Sequence, residues 1–172
     1  MLLPKNQRGF TLIELLVVVV VISALSGVVI SIINSGGFRD KARDAQRIAD
    51  LKQTQTALEL YFSDFRAYPL STSGGGWILL TGSDAVSGAL SPIYINEVPI
   101  DPQSSGTNAG PCSSPTIFRY NYRSDGTYYI LTAIMAVATS NDQNLCEDLN
   151  NWNSSCGGGF ATQDVCYGVE NP

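Results

Sequence analysis

One uninterrupted apolar stretch near the start of the chain limits what this sequence can fold into. Residues 10–33 contain a single charged side chain, Glu14, among 24 residues. As an α-helix the stretch would be roughly 36 Å long, enough to cross the ~30 Å hydrocarbon core of a bilayer. The remaining residues, 34–172, are more polar and numerous enough to bury a modest core. We therefore predict one membrane-spanning helix followed by one folded domain.

Charge is distributed unevenly along the chain. Residues 1–9 carry Lys5 and Arg8 and no acid, which predicts a cytoplasmic N-terminus and an exported C-terminal part. Residues 38–66 carry six bases and five acids, whereas residues 67–172 carry two bases and nine acids, a net charge of −7. Because an acidic domain is a poor partner for a phosphate backbone, we expect this chain alone not to bind nucleic acid.

The cysteines predict disulfides rather than a metal site. All four lie in the exported part, where an even number of cysteines is typical of disulfide bonding. The chain has no histidine and no CxxC pair, so a zinc site is not expected. Four cysteines allow three pairings, and Cys156–Cys166, which closes the shortest loop, is the favoured one. The expected disulfide residues are Cys112, Cys146, Cys156 and Cys166.

An amphipathic pattern follows the apolar stretch. Apolar or neutral side chains recur at steps of three and four, the helical period, at Ala45, Ile48, Leu51, Gln55, Leu58, Phe62 and Phe65. No proline occurs between Pro4 and Pro69, so residues 10–65 could form one long helix that is loosened at Gly36-Gly37. Two helices joined by a linker are the alternative. The helix is expected to end before Pro69.

The sequence of the rest of the domain predicts a small antiparallel sheet. Residues 117–122 and 128–134 are rich in β-formers and flank Asp125-Gly126, which indicates a hairpin. We expect the hairpin, and the short apolar pieces 77–80 and 93–95, to pack on the amphipathic helix. Residues 140–172 are rich in Asn, Asp, Gly and Ser and are interpreted as a loop region closed by disulfides. The predicted fold class is α+β, with the sheet around residues 116–138.

Three interpretations of residues 1–33 compete. A secretory signal would be cleaved near the small residues Ala24 and Ser26. A plain signal anchor would be kept whole. In both, Glu14 is an unexplained cost, because a charge within a span disfavours insertion.

The third interpretation rests on the octapeptide Arg8-Gly9-Phe10-Thr11-Leu12-Ile13-Glu14-Leu15. This resembles the processing site of the type IV pilin and type II secretion pseudopilin superfamily, in which a short basic leader ends in glycine before phenylalanine. A glutamate follows four residues later inside a long apolar helix. Lys5, Arg8, Gly9, Phe10 and Glu14 match that pattern. Val98-Pro99-Ile100-Asp101-Pro102 and the Asp125-Gly126 turn also resemble the head of major pseudopilins, although four cysteines lean toward a type IV pilin.

The resemblance implies a pilin-like fold and a defined processing route. Prepilin peptidase would cut after Gly9, which makes residues 1–9 the leader, and the new amino group of Phe10 would be N-methylated. Residues 10–33 would then anchor the protein and later form the filament core, while residues 34–172 form the exported head. Glu14 would pair with an α-ammonium group during assembly and so fix the register of the helices.

The expected partners follow from the same resemblance. They are further copies of the chain, minor pilins or pseudopilins, the prepilin peptidase and the inner-membrane assembly platform. The protein would sit in the cytoplasmic membrane as a single-pass protein before it enters a periplasmic or extracellular filament. Which of the two filaments it builds stays open.

No catalytic motif or cofactor is expected. The chain has no histidine, GxSxG, HExxH or nucleotide fingerprint, and the pair Glu147-Asp148 is interpreted as solvated surface. Pseudopilins of the resembled family often bind calcium in a C-terminal loop, for which Asp142, Asp148 and Asp164 are candidates by residue type, although no EF-hand-like loop occurs. The alternative to a filament subunit is a membrane-anchored or secreted binding module, similar to an adhesin, that does not polymerise.

Overall fold

The computed structural model describes residues 10–33, 36–72, 76–104, 112, 117–137, 149 and 165–172. The chain divides into two compact units, Met1–Arg39 and Asp40–Pro172. The first unit contains the apolar helix, and the second contains the head.

Helix α1, Leu12–Ile33, is apolar on all sides, and its described side chains are exposed. Its segment Leu12–Ser31 is long and apolar enough to cross a membrane. The hydroxyls of Ser23 and Ser26 donate to the carbonyls of Val19 and Ile22 at 2.8 Å. Because these polar groups are satisfied within the helix, they add little cost to burial in an apolar environment.

Helix α2, Gly36–Phe65, begins at the glycine pair where the sequence predicts a loosened helix. The apolar helix begins at Leu12 rather than at the predicted Phe10. Residues 34 and 35 lie outside the described part, so a continuous helix through them to Phe65 stays a prediction. The helix ends close to the predicted position, because Arg66 adopts a left-handed φ of 56° and its N–H donates to the Phe62 carbonyl at 2.8 Å.

The apolar stripe of α2 packs on the sheet. Leu51 and Leu58 are completely buried, and Ile48 and Phe62 are partly buried against the same core. Two positions of the predicted helical pattern lie in α2 but are not buried. Ala45 is exposed because it points away from the sheet, and Phe65 is 60% exposed because it lies in the last turn, where its ring contacts Tyr61 at 4.4 Å between centroids.

Among the described residues, four strands form one antiparallel sheet in the order β1-β2-β3-β4. Their bounds are Ile78–Leu79 for β1, Tyr120–Ser124 for β2, Tyr129–Ile134 for β3 and Cys166–Glu170 for β4. A short helix α3, Ala85–Leu90, lies between β1 and β2 in the chain and is capped by Asp84, whose carboxylate accepts the Ser87 N–H. The structure is therefore the α+β, pilin-like arrangement that the sequence predicts.

The predicted hairpin is confirmed in type and position. β2 and β3 pair from Tyr120–Ala133 to Ser124–Tyr129. In the turn, Gly126 has a φ of +94°, which only glycine adopts without strain, and the Asp125 carboxylate accepts the N–H groups of Thr127 and Tyr128 at 2.9 and 3.0 Å.

The short apolar pieces pack on the core as predicted, with one exception. Leu80 and Ile95 are buried in the core, and Ile78 and Tyr94 are partly buried against it. Ile93, in contrast, is 79% exposed.

The interpretation of residues 140–172 as loop alone was wrong at its end. β4 is a largely buried strand that pairs with β3. It is also joined to α2, because the side-chain amide of Gln55 on α2 donates to the Glu170 carbonyl of β4 at 2.7 Å. The predicted sheet region was correspondingly too short, because both outer strands lie outside residues 116–138.

The disulfide in the described part joins Cys112 to Cys166, with a Cα–Cα distance of 5.6 Å. The favoured pairing Cys156–Cys166 is therefore wrong. The pairing of β4 with β3 places Cys166 beside Ile134. Both residues belong to a buried cluster that also contains Cys112, so the folded sheet brings Cys166 next to a cysteine that is remote in the chain. Cys146 and Cys156 lie outside the described residues.

Candidate functional sites: the start of the apolar helix and the polar contacts of the head

The start of α1 holds Glu14 in a capping box. Thr11 precedes the helix, and its hydroxyl accepts the Glu14 N–H at 3.3 Å. In return, the Glu14 carboxylate accepts the N–H and the hydroxyl of Thr11, both at 3.4 Å. This reciprocal arrangement satisfies polar groups that the first turn of a helix otherwise leaves without partners.

The capping role of Thr11 was not predicted from the sequence. The signal was present as Thr11-Leu12-Ile13-Glu14, the Thr-x-x-Glu spacing that precedes an apolar helix. Phe10 is exposed next to this box, so the predicted methylation position and the predicted assembly residue lie within one turn. The other predicted processing residues, Lys5, Arg8 and Gly9, lie outside the described part.

In the head, Arg47 is a completely buried guanidinium with two carboxylate partners. It forms a two-bond contact with Asp101, from Nε to Oδ2 at 2.7 Å and from Nη2 to Oδ1 at 3.1 Å. Its Nη1 donates to Asp44 at 2.7 Å and its Nη2 to Gln103 at 2.9 Å, while the Phe118 ring lies 4.3 Å from its central carbon. Burial lowers the pKa of Arg47, but the hydrogen bonds and charges of the two carboxylates outweigh this and raise it overall.

Asp44 extends this contact to the end of β3. Its two carboxylate oxygens accept the N–H groups of Ala136 and Val137 at 2.8 and 2.9 Å. The group formed by the buried Asp44, Arg47 and Asp101 and the partly buried Gln103 therefore joins α2 to the chain after α3 and to the chain after β3. Sequence analysis assigned no role to these residues.

Tyrosine hydroxyls from the sheet side donate to carboxylates on α2. The Tyr120 hydroxyl donates to Asp50 at 2.7 Å, and those of Tyr68 and Tyr129 donate to Glu59 at 3.0 and 2.9 Å. Burial is the main cause of the raised pKa of all three tyrosines, and the neighbouring carboxylates raise it further. These hydroxyls stay protonated at physiological pH and act as fixed donors.

Within the described ranges, no group of three or more His, Cys, Asp or Glu side chains is placed to hold a metal ion. The calcium candidates Asp142, Asp148 and Asp164 lie outside those ranges, as does the pair Glu147-Asp148. Calcium binding therefore stays untested.

Comparison with known families first defines the class of the protein. Residues 4–30 match the model of the prokaryotic N-terminal methylation motif, which covers Gly9, Phe10 and Glu14. Together with an exposed apolar helix and a helix-on-sheet head, this match defines a pilin-like protein.

Relatives identify the family more closely. The chain is 32% identical over 100 residues to the type II secretion system core protein G of Klebsiella michiganensis, which covers 57% of this chain and 69% of that protein. It is 32% identical over 103 residues to the Klebsiella pneumoniae protein of that name (59% and 72% covered) and 35% identical over 101 residues to the Pseudomonas aeruginosa one (57% and 69% covered). No solved structure matches the chain. The chain belongs to the type II secretion core protein G family of pseudopilins.

Proposed function

We propose that this chain is a structural subunit of a type II secretion pseudopilus, which it builds by packing its apolar helix α1 against those of other copies. The observation that carries this proposal is the start of α1, where a carboxylate is held by a capping box in an otherwise apolar helix whose described side chains are all exposed. A helix that is apolar on all sides requires lipid or other helices around it. The relatives, which are named core proteins of the secretion system, support the same proposal.

The proposed processing has two steps. Prepilin peptidase cuts after Gly9 and removes the leader with Lys5 and Arg8, and the new amino group of Phe10 is then methylated. The motif match to residues 4–30 supports both steps because it spans the cleavage point. Cleavage on the cytoplasmic side keeps α1 on the mature protein, whereas signal peptidase would remove it.

Glu14 has a proposed role in assembly. Thr11 supplies two hydrogen bonds to its carboxylate, but these partners are neutral. The α-ammonium of Phe10 in a neighbouring copy would supply the opposite charge when α1 leaves the bilayer for the filament. An unpaired charge in an apolar bundle is costly, so only a register that pairs the two groups is favoured. In this way one charged residue would select the register of an otherwise uniform helix.

The proposed cleavage after Gly9 and the proposed role of α1 divide the chain into three parts. Residues 1–9 are the leader, residues 10–33 are the anchor and later the filament core, and residues 34–172 form the exported head. A disulfide in the head is consistent with an oxidising compartment. The mature subunit would enter a periplasmic filament together with minor pseudopilins, with help from the inner-membrane assembly platform, and would itself catalyse no reaction.

The comparisons favour a secretion pseudopilus over an extracellular type IV pilus. The relatives reported above are all named type II secretion core protein G, whereas the argument for a pilus is the number of cysteines alone. Deleting the gene should therefore abolish export of the substrates of the type II secretion system.

Electron microscopy of sheared filaments tests the proposal. In cells that also express the assembly platform and the peptidase, antibodies against the head should label filaments, and the label should disappear when the peptidase is absent. If the processed protein stays in the membrane and no labelled filament forms, the non-polymerising binding module becomes the better account.

A further inference from the structure

A groove of about 340 Å³ lies between α2 and the chain that follows α3. Two carboxylates face it, and the other lining groups are apolar or uncharged. It is lined by Gln46, Asp50, Glu97, Val98, Pro99 and Ile100.

The groove carries negative charge that its own lining does not neutralise. Glu97 is exposed and, within the described part of the chain, makes no hydrogen bond or ion pair. The Asp50 carboxylate accepts one hydrogen bond in the described part, from the neutral Tyr120 hydroxyl, and burial raises the pKa of Asp50 despite that bond. Ile100 is 51% exposed and gives the groove an apolar wall. This combination suits a long side chain with an aliphatic stem and a cationic end.

Two exposed lysines lie on the opposite flank of α2. At about 100° per residue, Lys41 lies roughly 180° and Lys52 roughly 200° around the helix from Asp50. The buried face with Leu51 and Leu58 lies between the two flanks. In the described part of the chain neither lysine ammonium group has a hydrogen-bond or ion-pair partner. The lysines of one copy therefore point away from that copy's own groove.

We propose that the groove receives a lysine of this flank, Lys41 or Lys52, from a second copy of the chain. The stem lies along Pro99 and Ile100, and the ammonium pairs with Glu97 and Asp50. This inference rests on the proposed function, because it names a contact between neighbouring heads in the filament.

The geometry of the two flanks fits a filament rather than a closed dimer. A contact that joins two different patches is heterologous, and a heterologous contact that does not close into a ring continues as an open helical polymer. The same pair of patches can therefore repeat at every step along the filament. Helix packing of α1 would drive assembly, and this contact would help to set the rotation between neighbours.

Charge reversal with rescue tests the contact. Glu97→Lys places like charges opposite each other and should reduce the yield of filaments about tenfold. Lys41→Glu and Lys52→Glu are then each combined with Glu97→Lys, and the reversal of the contacting lysine should restore filaments to near the wild-type yield. Glu97 is exposed and unpaired in the described part, so the full-length variant in detergent should melt at the wild-type temperature.

The controls separate this inference from the proposed function. Arg66→Glu makes the same charge change as the lysine variants, at an exposed residue just after α2, and should leave the yield unchanged. Wild-type yield for Glu97→Lys, or a loss that neither lysine reversal restores, would overturn the contact while the filament function stands. Failure of the wild-type chain to form filaments would instead overturn the proposed function itself.

Discussion

At the scale of single residues, Glu14 and Arg47 are charged groups that the chain satisfies in different ways. Glu14 has only the neutral N–H and hydroxyl of Thr11 within the described residues, so its charge remains available to a partner. Arg47 has two carboxylates, and its charge is neutralised inside the head. The first arrangement suits a residue that acts in assembly, and the second suits one that fixes the fold.

The substitution Glu14→Gln tests the assembly role. The glutamine keeps the size of the side chain and can still accept the Thr11 hydrogen bonds, but it has no charge with which to form an ion pair with an ammonium group. We expect normal membrane insertion and cleavage with a large loss of filaments, measured by shearing and immunoblotting. Ser23→Ala removes a polar group from the same helix and should assemble normally. Wild-type filament yield for Glu14→Gln would show that the charge is not needed.

The substitution Arg47→Met tests the buried ion pairs. It leaves Asp44 and Asp101 as buried carboxylates without their cation, and breaking a buried pair in this way costs about 3–5 kcal/mol. Urea unfolding of the full-length protein in detergent should show that loss of free energy of unfolding. Lys52→Met, at an exposed position of the same helix, should change the free energy of unfolding by less than about 0.5 kcal/mol. An equally small effect for Arg47→Met would mean that the buried contacts do not stabilise the head.

At the scale of elements, β4 depends on contacts that are remote in the chain. Cys166 is bonded to Cys112, at a sequence separation of 54 residues, and the strand pairs only with β3 in the described part. Its far end is held by the Gln55 amide. The strand is therefore the element that the disulfide should affect most.

Replacing Cys112 and Cys166 together by alanine tests this dependence. A cross-link that closes a loop of this length stabilises a protein by about 4 kcal/mol, mainly by restricting the unfolded chain. We expect a loss of that size in the free energy of unfolding, and faster amide exchange in β4 than in β2. Unchanged protection of β4 would indicate that strand pairing alone is sufficient.

The elements differ in how well sequence predicts them, and the reason is the range of the interactions involved. The β2–β3 hairpin was predictable because Asp125-Gly126 determines the turn locally. β4 was not, because Cys-Tyr-Gly-Val-Glu is short and becomes a strand only by pairing with β3 across residues 135–165. Likewise, the helical period marked Leu51 and Leu58 as buried, whereas the burial of Arg47 depends on Asp101, which lies 54 residues away.

The start of α1 shows a different limit to what can be predicted from the sequence of one chain. Sequence identified Glu14 as exceptional because one charge interrupts an apolar stretch, and the Thr11-to-Glu14 spacing was visible without a structure. The proposed partner of Glu14 belongs to another copy of the chain, so no feature within one sequence specifies the contact.

At the scale of the whole molecule, the chain combines an apolar helix that exposes its surface with a head whose core is closed by α2 and the sheet. Membership in the core protein G family and the methylation motif give this combination a role in a secretion filament. Assembly in this role requires one earlier event, which is cleavage that removes the leader and keeps α1.

The intact mass of the mature protein, isolated from membranes of cells that contain prepilin peptidase, tests that event most directly. The account predicts a chain that begins at Phe10, has lost residues 1–9 and carries one added methyl group on its α-amino nitrogen. A chain that has lost everything through Ser26 would be a secreted domain without α1, and a chain that still begins at Met1 would be a plain membrane anchor. Either of these masses would contradict the account.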